Sequence, residues 1–180
     1  MLKKILVALD RSEMGQQVFE QALALAKVMS AQLLLLHVLS PEEEGSPYIP
    51  MLSNIDYYPG LSGQSLDLYQ KQWDKFKDEG VRILQSFCAQ ANTANVPAEF
   101  NQILGNPGKS ICKLAAQWDA DLIMMGHRGR SGLTEFFLGS VSNYVLHHAN
   151  CSVYIVHSPT SQKNTEKVVT TASSNASIAN

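Results

Sequence analysis

The chain has 180 residues, with 14 Lys and Arg against 16 Asp and Glu and a formal charge of −2. That length suits one domain with a real core, and the charge leaves no basic excess to neutralise a phosphate polymer, so no nucleic-acid partner is expected. The opening MLKKILVALD is too short for a signal-peptide core, and no later run reaches the roughly 18 apolar residues of a membrane span, so the expectation is a cytoplasmic protein without membrane insertion.

Lys4 to Leu9 is a continuous apolar run, β-branched at Ile5 and Val7, and reads as a strand buried on both faces. Ser12 caps the next helix, where Val18, Ala22, Leu25 and Met29 recur at helical spacing through Ser30. Leu33 to Val38, LLLLHV, is a second strand, and the βαβ unit so formed forces a parallel pair. From Ser40 to Gln64 the sequence carries four prolines and three glycines and has no period. A connection of that length is either a mobile surface loop or a functional lid.

Leu66, Tyr69, Trp73, Phe76, Ile83 and Phe87 then alternate at three and four residues, with Gly80 in the missing slot, which predicts a long amphipathic helix. Its aromatic stripe reads as core rather than as a stacking platform. Ala98 to Leu104 is a third strand, Pro107 to Trp118 a helix begun at Asn106-Pro107, and Leu122 to Met125 a fourth strand. Ser140 to His148 is helical and Ser152 to Val156 closes the series. Five strands alternating with four helices specify an α/β fold, a single-domain doubly wound parallel sheet with helices on both faces, over residues 1–158. The tail, 159–180, is rich in Ser, Thr, Asn and Ala and is expected to be disordered.

Several chemistries are excluded by spacing. GNPGKS at Gly105 to Ser110 lacks the first glycine of a Walker A loop, because Ile103 stands there. DRSEMG follows the first strand where a dinucleotide fingerprint would need GxGxxG, and no GxSxG elbow is present. His147 and His148 are adjacent on a helix and point about 100° apart, and Cys88, Cys112 and Cys151 form no CxxC pair, so neither a metal site nor a disulfide framework is suggested. His37 and His157 lie at strand ends and are equally undistinguished.

The stretch MGHRGRSGLTEFFLGSVS is different. Gly126-x2-Gly129-x9-Gly139-Ser140 starts at the end of a strand and finishes at a helix N-terminus, where free N–H groups favour an anion. Gly126 and Gly129 allow close backbone approach to a phosphate. The Ser140 and Ser142 hydroxyls and the Ser140 and Val141 amides can donate, and Arg128 and Arg130 can add charge-assisted contacts. This spacing resembles the GxxG-x9-G[ST] signature of the universal stress protein family, with every position filled. KKILVALDRSE, LLLLHV, ADLIMMG and CSVYIVH are similar to that family too, so the resemblance spans roughly residues 2–158 and varies at the 41–64 connection.

The resemblance implies an adenine-nucleotide site for ATP, ADP, AMP or cyclic AMP, with magnesium accompanying ATP. It implies that Asp10 lies near the ribose and that Ala8 and Val38 flank the adenine, Ala8 standing where ATP-binding relatives often carry proline. Phosphates would fall to Gly126, Gly129, Arg130, Gly139, Ser140, Val141 and Ser142, with His127, Arg128, Ser131 and Gly132 lining the loop. It also implies a homodimer paired through Val153, Tyr154, Ile155 and Val156, an apolar edge that soluble proteins usually cover. The resulting expectation is a homodimeric binding module of the stress response acting on an unidentified protein partner. The alternatives are a slow ATPase or self-phosphorylating enzyme, for which no catalytic base is visible, and an interaction dimer without nucleotide.

Overall fold

A computed structural model describes residues 2–47, 62–127 and 138–157, with 62–65 as backbone only. The elements in chain order are β1 (Lys4–Leu9), α1 (Glu13–Met29), β2 (Gln32–Leu39), α2 (Ser62–Thr93), β3 (Ala98–Leu104), α3 (Pro107–Gln117), β4 (Leu122–Gly126), α4 (Ser140–His148) and β5 (Ser152–Val156). All strand pairs are parallel, in the order β3-β2-β1-β4-β5. The doubly wound sheet expected from the alternation of apolar runs is therefore the fold.

The central strand β1 is apolar on every residue from Ile5 to Leu9 because helices cover both its faces. Ile5, Val7 and Leu9 pack with Val18, Phe19, Ala22 and Ala26 of α1 and with Leu84, Phe87 and Ala91 of α2. Leu6 packs on the other side with Ile111 and Ala115 of α3 and Val145 of α4. Phe19 and Phe87 stack at 4.3 Å between ring centroids, joining α1 to α2. Each fully buried aromatic or aliphatic side chain contributes roughly 1.5–3 kcal/mol relative to exposure.

The caps follow the sequence. Ser12 Oγ accepts from Gly15 N at the start of α1, and Asn106 Oδ1 accepts from Lys109 N at the start of α3, with Pro107 in the first turn. At the opposite end of the sheet, Asp121 accepts from Lys3 N at 2.7 Å and Lys4 N at 2.9 Å, tying the entry of β4 to that of β1.

Two expectations change. Helix α2 starts at Ser62, four residues before Leu66, since a formed helix propagates into polar sequence at little cost. Its aromatic stripe is only partly core. Phe76 and Phe87 are buried, as is Leu84, which lies off the predicted seam. Tyr69 and Trp73 are half-buried and continue a ladder of stacked rings, Tyr69–Trp73 at 6.3 Å and Trp73–Phe76 at 5.6 Å. A 32-residue helix is about 48 Å long, whereas a strand of seven residues spans about 23 Å, so part of α2 has no sheet beneath it.

Candidate functional site

The chain runs outward from β1 through β2 to β3, then crosses to β4 and β5 on the other side, so strand order reverses between β1 and β4. In open parallel sheets, ligands bind outside the carboxyl ends of the strands at that crevice. Asp10 leaves β1 there and Gly126 ends β4 there. Ala8 is paired with Leu36 of β2 and Met125 of β4. Val38 and Met125 are buried in the cluster on the α3 and α4 side, and Ala8 and Val141 pack against it. The structure thus gathers Ala8, Val38 and the first turn of α4 on one side of the sheet.

Among the described residues no side chain caps the start of α4. Gly139 is its N-cap, with φ −59° and ψ 158°, a conformation any residue adopts, and it brings no side-chain cap. The Ser142 hydroxyl is buried and turns back to the Gly139 carbonyl at 3.0 Å, which also accepts from Asn143 N at 2.9 Å. Ser142 therefore offers its amide rather than its hydroxyl, while Ser140 is exposed. The first amides of a helix have no intrahelical acceptor and together carry roughly half a positive charge, which suits an anion.

Gly126 has a packing reason to be glycine. A Cβ there would lie 2.4 Å from Met14 Cγ, so α1 closes against the end of β4 only because the side chain is missing. His127 continues β4, donating its amide to Val156 O at 2.8 Å, and its ring lies 4.9 Å from that of His157. Arg128, Gly129, Arg130, Ser131 and Gly132 lie outside the described residues. Asp10 Oδ1 accepts from Ser12 N at 2.9 Å and from Ser12 Oγ, so the carboxylate is set by the turn that begins α1.

A polar group that sequence reasoning passed over lies on the α1 and α2 side. His37 is 3 % exposed. Its Nε2 is 2.9 and 3.0 Å from the two oxygens of Glu43, and its Nδ1 is 3.0 Å from Gln102 Nε2. Gln102 Nε2 also donates to Lys77 O at 3.1 Å, which fixes the amide orientation. Nδ1 then accepts and Nε2–H donates to Glu43. A Cβ on Gly80 would lie 2.5 Å from His37 Nδ1, so the gap in the helical seam at Gly80 was the available signal.

Arg11 joins this group through Glu43, its Nε 3.8 Å from Glu43 Oε1, and pairs with Glu79 of α2 at 2.7 Å. A groove of about 270 Å³ between α1 and α2 is lined by Asp10, Arg11, Ser12 and Gln16 with Ser86 and Gln90. Among the described residues it meets the candidate site only at Asp10 and is lined by neither Gly126 nor the start of α4. Among the described residues no three His, Cys, Asp or Glu side chains converge on a metal position, and no helix is long and apolar enough to cross a membrane.

The doubly wound parallel sheet, with its strand order reversing between β1 and β4, defines the class, a Rossmann-like α/β protein. The chain belongs to the universal stress protein family, whose model matches residues 1–157. It is 38% identical over 157 residues to universal stress protein Sll1388 of Synechocystis, covering 85% of this chain and 96% of that one. Among solved structures, the hypothetical protein MJ0577 superposes with a TM-score of 0.69 at 22% identity, covering 89% of this chain and 99% of that one. A universal stress protein in complex with cAMP superposes at 0.57 with 21% identity, covering 87% and 97%.

Proposed function

We propose that this protein binds an adenine nucleotide at the β1–β4 crevice and works as a homodimeric, cytoplasmic module of the stress response. The observation that carries the reading is the N-terminus of α4, which begins at Gly139-Ser140 with no side-chain cap among the described residues and lies on the same side of the sheet as Ala8 and Val38. The phosphate chain would lie against the amides of Ser140, Val141 and Ser142 and the loop of Gly126 to Gly132. The base would lie by Ala8 and Val38, and the ribose by Asp10. The cAMP complex of a protein with the same fold supports the choice of ligand class. Among the described residues strand β5 is hydrogen-bonded to β4 alone, and Tyr154 on it is 47 % exposed, which supports pairing of two copies through Val153 to Val156.

The test is calorimetric titration with ATP, ADP, AMP and cyclic AMP, with and without magnesium, while product formation is followed. Micromolar affinity, about −8 kcal/mol, without turnover is the expected result. Gly129→Leu should abolish binding and leave the melting temperature in place. Binding by neither ATP nor any of the others would overturn the reading, and steady turnover would make the protein an enzyme. Sedimentation equilibrium decides the dimer.

A further inference from the structure

We infer that Arg11 is a positioning residue for the nucleotide site, acting through Asp10; the inference rests on the adenine-nucleotide reading above. The two residues are consecutive at the exit of β1 and face different parts of the molecule. The Asp10 carboxylate bonds within its own turn, to Ser12. Arg11, in the middle of that turn, reaches to α2 and to the segment after β2. Its guanidinium lies 3.8 Å over the Phe76 ring, Nη1 donates to Glu79 Oε2 at 2.7 Å, and Nη2 donates to Glu44 O at 3.5 Å. Nε stands 3.8 Å from Glu43 Oε1, and Glu43 is itself held by His37.

Through one side chain, 18 % exposed, the three-residue turn is thereby tied to α2, β2 and, by way of Gln102, β3. Sheet pairing does not require this tie, because β1 is already hydrogen-bonded on both edges. Nor is the arrangement an optimised ion pair. Arg11 Nε is buried with no hydrogen-bond partner among the described residues, and burying an incompletely satisfied charged fork is unfavourable compared with an apolar side chain on Phe76. What the clamp does fix is the path by which residues 10–12 leave the strand, and so the direction of the Asp10 carboxylate. A carboxylate set in advance for a ribose spares the ordering cost at the moment of binding.

The test is a double-mutant cycle read by ATP titration on wild type, Arg11→Met, Asp10→Ala and the pair. Methionine keeps an apolar stem over Phe76 and removes the fork. Arg11→Met should weaken ATP about tenfold, and adding it to Asp10→Ala should cost nothing further, because residues acting through one another are not additive. Unchanged affinity in Arg11→Met, or losses that simply add, would overturn the positioning role while leaving the nucleotide site intact. If Arg11→Met does not fold, Glu79→Gln, which removes the partner at the more exposed end, enters the same cycle with the same expectation. A wild-type protein that binds no adenine nucleotide removes the nucleotide reading itself, and the positioning role with it.

Discussion

Replacing Gly80 by alanine should destabilise this protein, against the usual trend. In an exposed helix interior the change favours folding by about 1 kcal/mol, because alanine restricts the unfolded chain. At Gly80, however, the new Cβ would lie 2.3 Å from Gln102 Nε2 and 2.5 Å from His37 Nδ1. The Gln102 side chain is flexible and can swing away, but the His37 ring is buried and held by both oxygens of Glu43. Relief of the clash therefore breaks the His37–Gln102 bond and leaves a buried ring nitrogen unsatisfied, at about 1–3 kcal/mol, with about 1–3 kcal/mol more from overpacking. Set against the gain in helix propensity, the net loss is about 2 kcal/mol, or a fall of roughly 4–8 °C in melting temperature for a chain of this size. Thermal and urea unfolding of Gly80→Ala measure it directly. A variant that melts above the wild type would show that the His37 group is loosely packed and would undo the account of this side of the fold.

Other predictions concern protons and thiols. The Lys3 amide first, and then the Lys4 amide, hold the Asp121 carboxyl below the ordinary carboxylate range. A depressed carboxyl stabilises the fold above the ordinary carboxylate range and ceases to do so as pH falls through its folded value. The melting temperature of Asp121→Asn should therefore lie below that of the wild type at neutral pH and converge with it in acid; parallel profiles would contradict the assignment. Burial raises the thiols of Cys112 and Cys151, with Cys112 adding to the effect on Cys151. Both should alkylate more slowly at pH 8 in the native protein than in denaturant, since the thiolate is the reactive form, and rapid native labelling followed by mass spectrometry would refute this.

The fold was legible in the sequence because its information is local. LVAL, LLLL and LIMM are apolar on consecutive residues, as strands covered on both faces must be, and Asn106-Pro107 marks a helix start through backbone chemistry alone. The role of Gly126 was only half legible, since its empty side is filled by Met14, a contact that no local pattern encodes. The His37 group was not legible for the same reason. Glu43 lies in an aperiodic stretch, Gln102 comes 65 residues after His37, and Arg11 precedes Glu79 by 68, so their meeting is a product of topology. The aromatic stripe misled because periodicity gives the face of a helix but not how much of its length the sheet supports, and so Tyr69 and Trp73 were counted with Phe87.

Among the described residues the sheet divides the hydrophobic interior into two clusters with no side chain in common. Substitutions in one cluster therefore have few direct neighbours in the other, and their effects should combine independently. Descent can rework the packing of α1 and α2 while the side carrying Ala8, Val38 and α4 stays fixed, or the reverse. At the strand ends, Arg11 and His37 bond to Glu79, Glu43 and Gln102 on the α1 and α2 side, and so belong with that block. Variation in this chain should thus fall into two blocks that change independently, with the turn after β1 moving with the α1 and α2 block.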